Sequence, residues 1–263
     1  MKYQVSNGKF YSLATRAIAI GNGHGLFRVN NILDALVVST HADFALLDAQ
    51  QNKIANTRVA LIKHGCEFIY QTELNQIFFV YMIPLSQDME LLQLNYPFNS
   101  QDNDSGISWL SHQGNTIVDY LLEIDQQDMS AQHANEQLSK LMNPGGYTVS
   151  AVNDDHRIKS LVCRMIEHTS WTPNAHEAAS YVALSESRFR QLFKQQTGMS
   201  FADFKKICRH KAFNESFAQS GKLSQSSHQA NYTDAAHFCR TFKYFHGLTP
   251  SQFYGSDEIK IYL

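Results

Sequence analysis

From Phe10 to about Pro97 the apolar residues come in short runs separated by turn formers: Leu36–Val38, Phe44–Leu47, Val59–Ile62, Phe68–Tyr70 and Ile77–Ile83. Runs of that length between breakers predict strands. Ile77–Ile83 is apolar without interruption, the pattern of a strand covered on both faces. Asp48–Asn52 and Gly65 predict turns, and a small antiparallel barrel or sandwich is the natural assembly. Gly21, Gly23 and Gly25 have the spacing of a phosphate loop but no strand–loop–helix context and no following Lys-Ser/Thr, so they read as a flexible turn.

After Gly106 the period changes. Ile107, Leu110, Ile117, Val118, Leu121, Leu122 and Ile124 recur at three- and four-residue steps, and a second such stretch runs from about Ala131 to Met142. The pattern predicts a helical hairpin over about 107–142, its stripe packed on the sheet or partly shared with a second copy of the chain. Asn143-Pro144-Gly145-Gly146 breaks helix. The expected division is therefore a β-rich domain over 1–145, a linker at 146–152 and a helical domain over 153–255.

Beyond the linker, Ile158, Leu161, Val162, Met165 and Ile166 mark the inner face of a helix from about Asp154 to His168. Two similar phrases follow. In Ala178–Lys194, Ser185 is placed to cap a helix in which Phe189, Leu192 and Phe193 share one buried face, while Ser187, Arg190, Gln191 and Lys194 point outward. In Thr233–Pro250, Thr233 takes the capping position, Phe238 and Phe242 form the buried pair, and His237, Arg240 and Lys243 are the exposed candidates. Between the phrases, Ser200 can cap a helix from Phe201 to about Ala218, roughly 27 Å long at 1.5 Å per residue. With the flanking units added, that suits the ~34 Å between adjacent major-groove faces of B-DNA.

Charge sharpens this reading. Residues 152–255 carry thirteen Lys/Arg against eight Asp/Glu, an excess of +5, and the remainder of the 263-residue chain carries −7. A basic module attached to an acidic one suits a reader of polyanions. Cys66, Cys163, Cys208 and Cys239 are widely spaced, without a Cys-x-x-Cys pair, and read as reduced thiols. Neither a signal-like N-terminus nor a long apolar span is visible, so a cytoplasmic protein without membrane contact is expected.

The carrying residues of the C-terminal half are Ala179-x-x-Val182-Ala183-Leu184-Ser185, Phe189, Phe193-Lys194, Thr197-Gly198-Met199-Ser200-Phe201-x-x-Phe204 and Arg209. They continue with His237-Phe238-x-Arg240-x-Phe242-Lys243 and Phe245-x-Gly247-x-Thr249-Pro250-Ser251-x-x-Phe253. Over about Asp154–Tyr254 they resemble the DNA-binding domain of the arabinose-operon regulator (AraC/XylS) family of bacterial transcription factors. The resemblance implies about seven helices with two helix-turn-helix units, whose second helices enter successive major grooves. Carried over by position, Ser187, Arg190 and Gln191 face bases in the first unit and Ala236 and His237 in the second. Ser185, Arg188, Lys194, Arg240 and Lys243 fall on the DNA backbone. Double-stranded promoter DNA and RNA polymerase are the implied partners, with no cofactor.

The second unit departs from the family pattern. Ser226-Ser227 stand where an Ile-Ala pair is usual and Asn231-Tyr232 where Gly-Phe is usual, while His210 and Ser216 replace apolar residues of the connecting helix. Lost apolar burial costs about 0.8 kcal/mol per methylene, so the unit is expected to be weakened, with the first unit reading and the second anchoring.

In the resembling family a β-rich, cupin-like N-terminal domain senses a small molecule or mediates dimerisation. Phe44, Leu46, Ile62, Phe68, Phe78, Val80 and Met82 could line an apolar effector pocket, or equally form an ordinary core. His24, His41, His64 and Cys66 lie among the strands without a His-x-His pair, so no metal is expected. The fold class is α+β in two domains, and the function a sequence-specific transcriptional regulator rather than an enzyme. The alternative is a protein–protein regulator with weakened or lost DNA binding.

Overall fold

The computed structural model describes residues 6–13, 15–101, 105–111, 115–149, 154–246, 249–254 and 260–263. Its N-terminal half is a curled antiparallel sheet. In chain order the strands are β1 (Ser6–Ser12), β2 (Arg16–Asn30), β3 (Asp34–Ser39), β4 (Phe44–Leu47), β5 (Lys53–Thr57), β6 (Val59–Ile62), β7 (Glu67–Met82), β8 (Asn99–Ser100) and β9 (Ile107–Trp109). The spine is β7, which runs antiparallel to β2 along nearly its whole length. Its other edge is shared between β4 at Ile69–Gln71 and β3 at Ile77–Met82.

The runs Phe68–Tyr70 and Ile77–Ile83 are thus one long strand rather than two. Gly21, Gly23 and Gly25 do not make a turn either. They lie within β2, where the register against β7 shifts between Gly23 and Gly25. The bulge explains the glycines: Gly25 has φ 121, and a side chain on Gly23 would press on the Phe27 ring at 3.2 Å.

Alternation along β7 divides the interior in two. Phe78, Val80 and Met82 face a core built with α2 (Asn115–Gln126) and α3 (Ala131–Met142). Ile77, Tyr81 and Ile83 face the opposite way, into a core continuous with the C-terminal helices. The expected helical hairpin is present as α2 and α3, and its stripe of Ile117, Leu121, Ile124, Leu138 and Leu141 packs on the sheet. Its start needs correction. Ile107 belongs to β9, pairing with Ile62, and Leu110 follows it with its N–H donated to Val59 O at 3.0 Å. A helix that strand-like runs concealed, α1 (Asp88–Asn95), lies before it.

The break at Asn143–Gly146 is a turn closed by Asn143, whose side chain accepts from Tyr147 N–H and donates to Tyr147 O, both at 2.8 Å. Most of the remaining linker, 150–152, lies outside the described residues. Seven helices follow among the described residues: α4 (His156–Glu167), α5 (Ala175–Tyr181), α6 (Glu186–Thr197), α7 (Phe201–Ser220), α8 (Leu223–Gln229), α9 (Ala235–His246) and α10 (Pro250–Tyr254). Residues 260–262 return to the sheet as β10, parallel to β1, with Tyr262 stacked on Tyr11 at 4.4 Å. No described helix is long and apolar enough to cross a membrane.

Candidate nucleic-acid interface

The first helix pair is α5 and α6. Asn174 and Glu177 form a capping box at the start of α5, satisfying amides at its opening turn. The connecting turn places Ala183 at φ 54, in the left-handed region, and Leu184 N–H closes it on Ala179 O at 2.9 Å. Ser185 then caps α6 by accepting from Arg188 N–H. Removing that hydroxyl in Ser185→Ala is expected to lower stability by about 1 kcal/mol, read as a reduced urea midpoint. An unchanged midpoint would mean the cap contributes nothing.

Phe189, Leu192 and Phe193 turn α6 inward, where Phe193 meets Phe201 and Phe204 at ring distances of 5.3 and 5.5 Å. The other face is left to solvent: Ser187, Arg188, Arg190, Gln191 and Lys194 are all exposed. These side chains are ordered by one another. Arg190 donates to Glu186 through Nη2 at 2.6 Å and Nε at 3.0 Å, and Arg188 Nη1 donates to Gln191 Oε1 at 2.9 Å. Such exposed pairs contribute little stability. Each guanidinium lies beside a neighbour about one turn away on the exposed face of α6.

The second pair, α8 and α9, repeats the plan with different chemistry. Asn231 at φ 58 occupies the turn, as Ala183 does in the first. Thr233 is not the cap of α9. Asp234 accepts from His237 N–H at 2.6 Å, while the Thr233 hydroxyl meets His237 Nδ1 at 2.8 Å. An ionised carboxylate at the positive end of a helix is the stronger partner for its amides, which is why the cap moves by one residue. Ala236, Arg240 and Lys243 are exposed and His237 is half-buried, while Phe238, Phe242 and Phe245 face inward.

Ser226 and Ser227 are buried where larger apolar residues were expected, yet both hydroxyls are satisfied. Ser226 Oγ lies 2.8 Å from Ser220 Oγ at the end of α7, and Ser227 Oγ donates to Ser224 O at 2.9 Å. Ser216 is likewise hydrogen-bonded to Gln229. His210 sits with its Nε2 at 3.0 Å from His246 Nε2, joining α7 to α9. Burial lowers the His210 pKa to about 4, and burial followed by the neighbouring His210 lowers that of His246, so the pair is neutral near pH 7. The departing serines and His210 Nε2 are thus partnered by separate local contacts, while His210 Nδ1 and the Tyr232 hydroxyl are buried without a hydrogen-bond partner among the described residues. Joining the two units, α7 has 20 residues, about 30 Å at 1.5 Å per residue.

The seven apolar residues suggested for an effector pocket do not share one. Phe44, Leu46, Ile62 and Phe68 belong to the core facing the C-terminal helices, and Phe78, Val80 and Met82 to the core under α2 and α3. The register shift of β7 between Thr72 and Asn75 puts Phe68 and Phe78, an even number of residues apart on one strand, on opposite faces, and all seven are buried in packed side chains. A cleft does exist elsewhere, between the sheet and the C-terminal helices. Phe10, Ala17, Tyr81, Ile83, Ile166 and Ile207 give it apolar walls around a volume of about 70 Å³. Lys211 stands at it, donating to Ser12 Oγ at 3.1 Å and pairing with Glu215 at 3.0 Å. No local motif could have revealed this cleft, since its walls are separated by most of the chain.

With that geometry in place, comparison with known proteins is informative. Residues 178–255 match the family described as "Helix-turn-helix domain", which spans both helix pairs. No curated protein matches the chain in sequence. Among solved structures, an apo variant of ToxT from Vibrio cholerae strain SCE256 is similar with a TM-score of 0.61 at 12% identity, covering 92% of this chain and 97% of that one. ToxT from Vibrio cholerae O395 bound to (E)-4-(8-methylnaphthalen-1-yl)but-3-enoic acid gives 0.56 at 12% identity, with 92% and 98% covered. Unsaturated fatty acid bound wild-type ToxT from strain SCE256 gives 0.51 at 10%, with 91% and 95% covered. At such identities the likeness is one of fold, and it extends over both the sheet and the helices. The chain carries, at its C-terminus, a helix-turn-helix domain of the AraC type.

Proposed function

We propose that the protein is a sequence-specific DNA-binding transcriptional regulator in which α6 reads bases and α9 mainly anchors. The observation that carries the reading is the exposed face of α6, where Ser187, Arg190 and Gln191 stand on a rigid aromatic base. Arg pairs bidentately with guanine, Gln with adenine and Ser with either. Arg188, Lys194, Arg240 and Lys243 supply phosphate contacts, while Ala236 offers only a methyl group and His237 is tied to Thr233. The hydrogen-bonded serines beneath α9 argue against a second unit too eroded to bind. Binding of the full chain to a duplex pool should fall about 100-fold between roughly 50 and 200 mM salt, the response to about four neutralised phosphates. Salt-independent binding, or none, would contradict the reading.

The cleft between the sheet and the helices is the site for effector control. ToxT, similar in fold, has been crystallised with an unsaturated fatty acid and with an aryl butenoic acid, both apolar bodies carrying a carboxylate. Here the apolar walls suit such a body and Lys211 suits the carboxylate. The present volume of about 70 Å³ is room for only about five waters. An acyl chain must therefore push α7 and α9 away from the sheet, which is how its arrival would reach the DNA-binding helices. Titrating the full chain with oleate, Lys211→Gln is expected to bind about tenfold more weakly than the unsubstituted protein. Equal affinities would remove Lys211, and the cleft it marks, from the account.

A further inference from the structure

The turn between β6 and β7 touches the far end of α6. Gly198, at φ 75, closes that helix, and the His64 ring lies directly against it. A Cβ on Gly198 would fall 2.5 Å from His64 Cε1 and 2.6 Å from Nε2, so only glycine permits the approach. On its other side the ring places Nδ1 at 3.2 Å from Asp34 Oδ1, and the same oxygen accepts from His64 N–H at 2.9 Å. The ring edge carrying Cε1 and Nε2 is the one turned to the Gly198 backbone. A single imidazole therefore spans a carboxylate on β3 and the negative end of the α6 dipole. A carboxylate on one side and the carbonyl end of a helix on the other favour the imidazolium, which carries an N–H on both ring nitrogens.

We propose that His64 is a proton-operated latch that holds the first recognition helix against the sheet, and that its deprotonation frees the helix to engage DNA. The proposal rests on the reading of α6 as a DNA reader. Its electrostatic surroundings are mixed. The hydrogen bond to Asp34 raises the His64 pKa above its ordinary value, burial opposes this, and the Asp34 charge and Gly198 backbone add to it against Lys63. Glu90 of α1 and Asp154 before α4 line a second cleft, beside His64, Asp34 and Gly198. With the docked-state pKa raised, the latch is fully present at low pH and is lost as pH rises through that value. DNA pulls the same way as base: residues 1–151 hold eight Lys/Arg against fourteen Asp/Glu, so phosphates repel the sheet domain to which the latch ties α6.

The test uses the full chain and a duplex recovered by selection, with affinity measured by fluorescence anisotropy at constant salt from about pH 5.5 to about pH 8.5. Affinity of the unsubstituted protein should rise about three- to tenfold across this range relative to His64→Gln, which should bind tightly throughout. Asp34→Asn should move the rise to lower pH. Hydrogen exchange at the last turn of α6, corrected for intrinsic rates, should be faster in His64→Gln at low pH and equal to the unsubstituted protein at high pH. Parallel affinity profiles for the protein and His64→Gln would overturn the latch. If no duplex binds at all, the DNA-reading assignment fails, and the exchange data decide the latch alone: equal protection in the two proteins at low pH overturns it.

Discussion

Replacing Arg190 with alanine is expected to weaken binding to the selected site by about 10- to 100-fold and to relax preference at one base pair, since a bidentate Arg–guanine pair contributes about 1–3 kcal/mol of discrimination. Arg190 is exposed on the outer face of α6, one turn from the cap at Ser185, and Glu186 holds its guanidinium through two nitrogens. That exposed pair is weak enough for guanine to displace Glu186, and the planar guanidinium loses little entropy per hydrogen bond formed. Lys194→Ala should behave differently, weakening all duplexes alike and reducing the salt slope by about 0.9, because a phosphate contact carries no sequence information. Selection on random duplexes with each variant separates these outcomes. If Arg190→Ala keeps every base preference while Arg240→Ala relaxes one, the roles of α6 and α9 are reversed.

Phe193→Ala should lower stability by about 3–5 kcal/mol, enough to remove much of the 5–15 kcal/mol that a domain usually holds. Phe193 is fully buried and its ring meets those of Phe189, Phe201 and Phe204 at 5.6, 5.3 and 5.5 Å. It is thus the point where α6 is locked to α7, and a cavity there loosens the helix that carries the readers. Urea unfolding followed by tryptophan fluorescence reports the change. A loss below about 1 kcal/mol would mean the cluster relaxes to fill the void and does not position α6.

Local pattern exposed much of this structure. The aromatic i, i+3, i+4 spacing of α6, the caps at Ser185 and Ser200 and the hairpin of α2 and α3 were all legible, because each depends on residues within a turn or two of one another. Failures share a cause. Gly21, Gly23 and Gly25 looked like a turn because a bulge and a turn use glycine for the same backbone freedom, and only pairing with β7 distinguishes them. Asp234 displaced Thr233 as a cap because the two polar neighbours offer nearly the same chemistry, and the exact helix start decides between them. The proposed pocket residues failed on register: apolar identity is visible in sequence, but which face of a curled sheet each residue takes is not. The strand β10, the cleft beside Lys211 and the contact of His64 with Gly198 all join distant segments and leave no local signature.

The reading of the C-terminal helices as a two-part DNA module is tested most directly by selecting duplexes from a random pool with the full chain and footprinting the recovered site. The expected result is two protected segments about 10–10.5 bp apart on one face of the duplex, one strongly specified by α6 and the other weakly specified by α9. Recovery of no common sequence, or of a single protected segment unaffected by Arg240→Ala and Lys243→Ala, would contradict it.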